Sequence, residues 1–203
     1  MRDEGLAPEH ERTRLEVENS RMRQEILTLR QFIDSMQNLI EAAERPLVDS
    51  EIMALLGNML DDALRTIDAQ DGSLLAMDED TRELVFVLAR GDVSQEKLAW
   101  RRVPAGEGIA GWVAEHGEST IVNDVHRDGR FYSTVDVELG FATRSVLAAP
   151  IVGGGKVLGV IEVLNKRGSG GFEDHDLTLL TLMCRFSGEL LHSLISRGRE
   201  SRS

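Results

Sequence analysis

Two hydrophobic rhythms divide the chain. Between residues 10 and 45 there is no Gly or Pro, and apolar positions recur at heptad spacing. With Ile26 at position a, Ile33 and Ile40 also fall at a, and Asn19 precedes them. Leu15, Met22, Leu29, Met36 and Ala43 then fall at d. A 3.5-residue repeat held over several heptads, between heavily charged flanks, predicts a coiled-coil helix. Ile at a with Leu or Met at d favours two parallel strands, and an Asn at a sets register at some cost in stability. Phe32 and Leu39 at g widen the stripe, so a single amphipathic helix docked on its own domain stands as the alternative. Residues 1–9, with Gly5 and Pro8, read as a disordered lead-in.

From Pro46 the pattern changes to that of a globular domain. Leu47, Ile52, Leu55, Leu56, Met59, Leu60, Ala63, Leu64 and Ile67 form a helical stripe over 47–68, with Asp49 or Ser50 as its cap. Short apolar runs at 73–77 and 83–89, separated by Asp78-Glu79-Asp80, predict a β-hairpin. A strand at 100–103 and a short helix at 109–116 follow. Residues 119–143, punctuated by Asp124, Asp128, Gly129 and Gly140, read as loop and short helix. A second hairpin spans 145–152 and 157–164 around Gly153-Gly154-Gly155-Lys156. A helix over 174–195 closes the domain, and residues 197–203 form a polar tail. The expected fold is α+β, a central antiparallel sheet flanked by terminal helices over 46–196.

Composition narrows the function. Of 203 residues, 41% are hydrophobic, enough for a sizeable core. Asp and Glu total 35 against 23 Lys and Arg, a formal charge of -12 that repels phosphate backbones and anionic lipid. Neither nucleic acid nor a membrane is therefore an expected partner. No secretory leader or apolar span is evident, and a cytoplasmic location is expected. A single cysteine, Cys184, excludes an internal disulfide and a thiolate zinc site. It falls on the apolar stripe of the last helix, where it reads as a buried hydrophobe rather than a nucleophile. The five histidines (His10, His116, His126, His175 and His192) show no metal-ligand spacing, and no nucleophile, zinc or phosphate-loop motif is present. No cofactor is required, and no enzymatic activity is expected.

Two local features carry chemistry. Gly106-Glu107-Gly108-Ile109-Ala110-Gly111 leads a glycine-rich backbone into a helix, whose free N–H groups suit an anion; a plain tight turn is the other reading. Lys166 ends a strand and Asp176 begins the last helix, so the two can clamp strand to helix over Phe172, unless they form only a routine surface pair.

Taken in order, GEGIAGWV at 106–113, IVNDVHRDGRFY at 121–132, GFATRSVLAAP at 140–150 and GVIEVLNK at 159–166, with Phe172 and Asp176, define a series over residues 47–196. This series resembles the GAF domain, in particular the regulatory GAF domains of cyclic-nucleotide phosphodiesterases and adenylyl cyclases, with their N-K…F-x-x-x-D signature. The resemblance implies that Ser73, Ile109, Ala110, Asp136 and Thr143 border a ligand, with cyclic AMP or cyclic GMP as the candidates. It implies that Asn165, Lys166, Phe172 and Asp176 support the pocket from behind. Where that group stacks an aromatic on the base and reads its edge with an acid, this chain is aligned with Ala89 and Arg90, and Leu139 replaces a threonine. Phe131 and Phe141 are alternative base contacts, while Trp112 is assigned to packing. The chemistries of other GAF domains, bilin attachment and methionine-sulfoxide reduction, need cysteines that the chain lacks.

The resulting expectation is a non-catalytic sensor, dimeric through residues 10–45 and the terminal helices, that signals to an output protein in trans. The alternative is a ligand-free dimerisation and docking scaffold.

Overall fold

The computed structural model describes residues 11–20, single helical positions between 22 and 37, and residues 49–92, 95–168 and 170–200. Residues 1–9, Leu29, Met36, Ile40, Ala43, Pro46 and the last three residues of the polar tail lie outside the described residues. Residues 11–20 are helical, and Leu15, Met22, Ile26 and Ile33 expose 47–58% of their surface. The described part of the a/d stripe is thus uncovered by the rest of the chain.

The domain begins with α1 (Asp49–Ile67). Strands β1 (Ala69–Met77) and β2 (Glu83–Arg90) form the first hairpin. A short α2 (Gln95–Leu98), β3 (Arg102–Pro104), α3 (Gly108–His116) and β4 (Thr120–Val122) follow. After a 3-10 turn at Val125–Arg127 come α4 (Thr134–Leu139), the hairpin β5 (Val146–Gly153) and β6 (Lys156–Lys166), and α5 (Asp174–Glu200). The expected hairpins and terminal helices are all present. Two details differ from the expectation. A strand, β4, lies inside the stretch read as loop, and α5 runs through Glu200 rather than ending near 195.

The six strands form one antiparallel sheet in the order β3-β2-β1-β6-β5-β4. The strand period of two then sorts side chains between two cores. Leu74, Leu147, Ala149, Ile151, Ile161 and Val163 point to the face covered by α1 and α5, where they meet Leu60, Ile67, Leu180 and Met183. Leu75, Val146, Ala148, Val160 and Leu164 point to the other face, against Ile109, Ala110, Val113 and Val125. Buried on both faces, β5 reads as an unbroken apolar run. Asp71 and Ser73 share the α3 face with Leu75, and that face holds the site described below.

Helix α5 lies directly on the end of β5 because two glycines leave room for it. A Cβ at Gly188 would stand 2.2 Å from the Val152 carbonyl, and one at Gly153 would stand 2.1 Å from the Gly188 carbonyl. Alanine at 188 gains about 1 kcal/mol in helix propensity. The clash is with backbone, which cannot swing aside, and overpacking of this kind costs about 1–3 kcal/mol. Gly188→Ala is therefore expected to lower the urea midpoint; an unchanged or raised midpoint would show that helix and strand separate freely.

Candidate functional site

A cavity of about 100 Å³ lies between the sheet and its α3 face. Its floor comes from β1 and β6, which place Ser73 opposite Glu162 in register. One wall is the start of α3, where Gly108, Ile109 and Ala110 line the space. The other walls are Phe86 on β2, Leu98 and Val103, and the segment carrying Phe131, Tyr132, Val135, Asp136, Phe141 and Thr143.

The α3 wall follows from its glycines. Gly106 and Gly108 take positive φ (84° and 68°), a backbone that lets the chain enter the helix abruptly. Gly111 lets the helix press on β3, since a Cβ there would lie 2.7 Å from the Pro104 carbonyl. Glu107 occupies the N-cap position with no side-chain capping bond. The first turn of α3 thus borders the cavity without a capping side chain at Glu107, and a helix N-terminus carries a partial positive charge.

The covering segment is held by its own bonds. Asp136 on α4 accepts from the Thr143 backbone N–H at 2.7 Å and from its hydroxyl at 2.9 Å. Outside the cavity, Arg101 and Glu138 pair, tying α4 to the β3 edge. Asn123, just past β4, accepts from the Phe172 N–H and donates to its carbonyl, at 2.7 and 3.0 Å.

On the floor, the Ser73 hydroxyl donates to Glu162 at 2.9 Å. Desolvation pushes the Glu162 carboxyl up to about 7 from its ordinary 4.5. The Ser73 bond opposes that rise, and the nearby Asp136 carboxylate adds to it. At neutral pH this carboxyl is therefore poised between an acceptor and a donor.

All five residues expected around a ligand, Ser73, Ile109, Ala110, Asp136 and Thr143, border this one cavity. The four expected supports gather behind it. Lys166 bonds both oxygens of Asp176 at 2.8 and 2.7 Å, and Asp176 also accepts from the Glu173 N–H at 2.9 Å. Asp176 is only 3% exposed and Lys166 17%, so this is a buried clamp rather than a surface pair. Phe172 is buried beneath it, with the Lys166 Nζ 5.8 Å from the ring centre. Asn165 is buried and bonds to Asp71, Ala142 and Arg144.

Ala89 and Arg90 do not line the cavity. Arg90 turns to the opposite face of the sheet and pairs with Asp61 of α1 at 2.7 Å. The aromatic that β2 contributes is Phe86, three residues earlier, beyond a register shift between β1 and β2 at Leu74/Leu75. Phe131 and Phe141 line the cavity as well. Trp112 packs outside it, stacked on His116 and beneath Arg130. The side chain of Leu139 lies outside the described residues.

The sequence reading also missed Glu162, although its signal was present: an acid within the apolar strand Gly-Val-Ile-Glu-Val-Leu. Cys184 is fully buried, and burial pushes its thiol up, away from the reactive thiolate. Among the described residues, no cluster of His, Cys, Asp and Glu has the makings of a metal site, and no helix is long and apolar enough to cross a membrane.

Comparison with known proteins gives consistent results. The family model described as "GAF domain" matches residues 49–192. The probable 3',5'-cyclic phosphodiesterase pde-5 of Caenorhabditis elegans is 29% identical over 147 residues, covering 68% of this chain and 20% of that protein. The dual 3',5'-cyclic-AMP and -GMP phosphodiesterase 11A of Takifugu rubripes is 39% identical over 89 residues, covering 43% of this chain and 10% of that protein. The chain thus spans a fifth or less of each of these relatives. Among solved structures, the GAF domain of a phosphoenolpyruvate-protein phosphotransferase from Coxiella burnetii superposes with a TM-score of 0.68 at 18% identity, covering 83% of this chain and 97% of that one. The free methionine-R-sulfoxide reductase of Neisseria meningitidis superposes with a TM-score of 0.64 at 17% identity, covering 82% and 91%. At these identities the likeness is one of fold.

Proposed function

The chain belongs to the GAF domain family, and from that premise we propose that it is a non-catalytic sensor whose cavity takes a small molecule with an anionic end and a hydrogen-bond-donating end, a cyclic nucleotide being the leading candidate. One observation carries this reading: a single cavity places an uncapped helix N-terminus on one wall and Ser73, Asp136 and Glu162 on others, with apolar and aromatic walls between them. The α3 N–H groups would receive a phosphate. The carboxyls and the serine would receive the N–H or O–H groups of the base and sugar. The relatedness to cyclic-nucleotide phosphodiesterases supports the same ligand class.

At about 100 Å³ the cavity is smaller than the roughly 300 Å³ at which drug-sized sites begin. A nucleotide therefore requires the covering segment to move outward, and that movement is the signal. The exposed a/d residues Leu15, Met22, Ile26 and Ile33 support a parallel dimer through the N-terminal helix, which would carry the signal toward a partner protein.

Calorimetric titration with cyclic AMP and cyclic GMP tests the ligand. Micromolar or tighter binding is expected, weakened at least tenfold in Asp136→Ala and in Thr143→Ala. Because these two side chains bond each other, the double variant should lose little more than either single one. Heat from neither nucleotide nor a wider metabolite panel would favour the docking scaffold.

Removal of residues 1–45 tests the dimer. By analytical ultracentrifugation the shortened chain should remain folded but dissociate at much lower dilution. An unchanged dimer would place the interface on the terminal helices of the domain.

A further inference from the structure

Two walls of the cavity meet at one buried point on the sheet. Asp71 is 2% exposed on β1, two residues before Ser73 and on the same face. One of its carboxylate oxygens accepts from the Asp92 backbone N–H at 2.7 Å, and the other accepts from the Asn165 side-chain amide at 3.1 Å. Asp92 begins the stretch that leads into α2 and so to Leu98, one wall of the cavity. Asn165 reaches the other wall: its amide donates to the Ala142 carbonyl at 3.2 Å, and its oxygen accepts from the Arg144 N–H at 2.8 Å. Between those two residues lies Thr143, the partner of Asp136.

The surroundings specify this junction closely. Asn165 takes a left-handed backbone, φ 56°, a conformation that Asn tolerates better than most residues. Gly91 takes φ 90°, and a Cβ there would lie 2.3 Å from the Asp71 carboxylate. The backbone has therefore been brought onto this carboxylate from two directions. Its donors are an amide and a backbone N–H, groups that orient without adding charge. Such an arrangement fixes position: one oxygen holds the Asp92 segment, and the other holds the Asn165 amide at the end of β6, which in turn bonds residues 142 and 144 of the covering segment.

We propose that Asp71 is a positioning residue for the cavity, holding the α2 wall through Asp92 and the covering segment through Asn165, so that the two walls open and close as one unit. This rests on the cavity being the ligand site, as proposed above. Without the junction each wall would move separately, and occupancy of one would not be felt by the other.

Amide hydrogen exchange on the full chain without ligand tests the proposal independently of ligand identity. Asp71→Asn replaces one acceptor by a donor, so one of the two N–H groups facing residue 71 loses its partner. Exchange about tenfold faster is expected at Asp92 or at Thr143 and Arg144, according to which side loses its acceptor, the scale of one lost buried hydrogen bond, while β1, β5 and β6 keep their protection.

The exchanged pair Asp71→Asn/Asn165→Asp restores a donor and an acceptor between the two positions. It should recover protection at Asp92 and Arg144, although the Ala142 carbonyl remains without its donor. Asn165→Gly keeps the left-handed backbone and removes only the amide. It should loosen Arg144 and spare Asp92, and it serves as the reading if Asp71→Asn does not fold. Uniform acceleration across the sheet, or no recovery in the exchanged pair, would overturn the proposal. If the exchange pattern holds while cyclic AMP and cyclic GMP both fail to bind the unaltered chain, the positioning role stands and the assigned ligand falls.

Discussion

Asp176→Ala is expected to cost about 3–5 kcal/mol of stability, because it strands a cation. Lys166 is held by both Asp176 oxygens, and its side chain is 17% exposed. Removing one member of a buried, hydrogen-bonded pair leaves the other desolvated and unpaired, which costs about that much. The same change removes the acceptor for the Glu173 N–H at the start of α5. Replacing both members, Lys166→Met with Asp176→Leu, removes the stranded charge and should recover most of the loss, since apolar replacements of buried pairs are often neutral. Urea unfolding at pH 7 separates the cases. A loss below about 1 kcal/mol in Asp176→Ala would return the pair to the class of surface salt bridges.

The second large effect is a dependence on pH that originates in the cavity. Glu162 has its folded pKa raised from 4.5 to about 7, chiefly by desolvation. Below pH 4.5 the carboxyl is protonated in the folded and unfolded chain alike, and its burial carries no charge cost. Between 4.5 and about 7 the unfolded chain gives up the proton while the folded one keeps it, so stability falls as pH rises. Above pH 7 the deficit is constant, on the order of 3 kcal/mol.

Glu162→Gln keeps an acceptor for the Ser73 hydroxyl and cannot ionise. It should stabilise the ligand-free chain by about 2–3 kcal/mol at pH 8 and by almost nothing at pH 4.5. Thermal or urea unfolding across that range measures the difference. Equal effects at both pH values would mean that the carboxyl titrates normally. A ligand that donates N–H groups to Glu162 would favour the ionised form, so its binding should release a proton near pH 7, visible as a buffer-dependent heat of titration. The carboxyl that destabilises the empty domain would then contribute to recognition.

These effects differ in how far the sequence anticipates them. The Lys166–Asp176 pair was legible because strand end and helix start were legible: alternation stops at Lys166, and the helical period begins at Asp174. What spacing left open was its burial, which depends on Phe172 beneath it and on Asn123 holding the Phe172 backbone from a loop 49 residues away. Glu162 illustrates the converse. Its identity is plain in the strand, but its raised pKa needs burial beneath the covering segment and Asp136 of α4 nearby, against the opposing bond from Ser73, all of which only the closed fold supplies. The placement of Arg90 was hidden for a related reason. Side-chain facing alternates with every residue, so the irregular register beside β2 determines that Phe86 faces the cavity while Arg90 meets Asp61.

By itself, the sequence determined what local physics controls. Period-two runs specified the hairpins, period-3.6 stripes the terminal helices, and glycines the sharp turn into α3; each depends on backbone preferences and near neighbours. The resemblance to GAF domains, not local physics, marked Ser73, Ile109, Ala110, Asp136 and Thr143 as candidates for one site. Only the tertiary structure decided that they enclose a common cavity, that Asp71 and Asn165 join its two walls across 94 residues, and which charges lie out of water. Burial and long-range hydrogen bonding are properties of the assembled layers, because desolvation depends on everything that packs around a group and not on its neighbours in the chain.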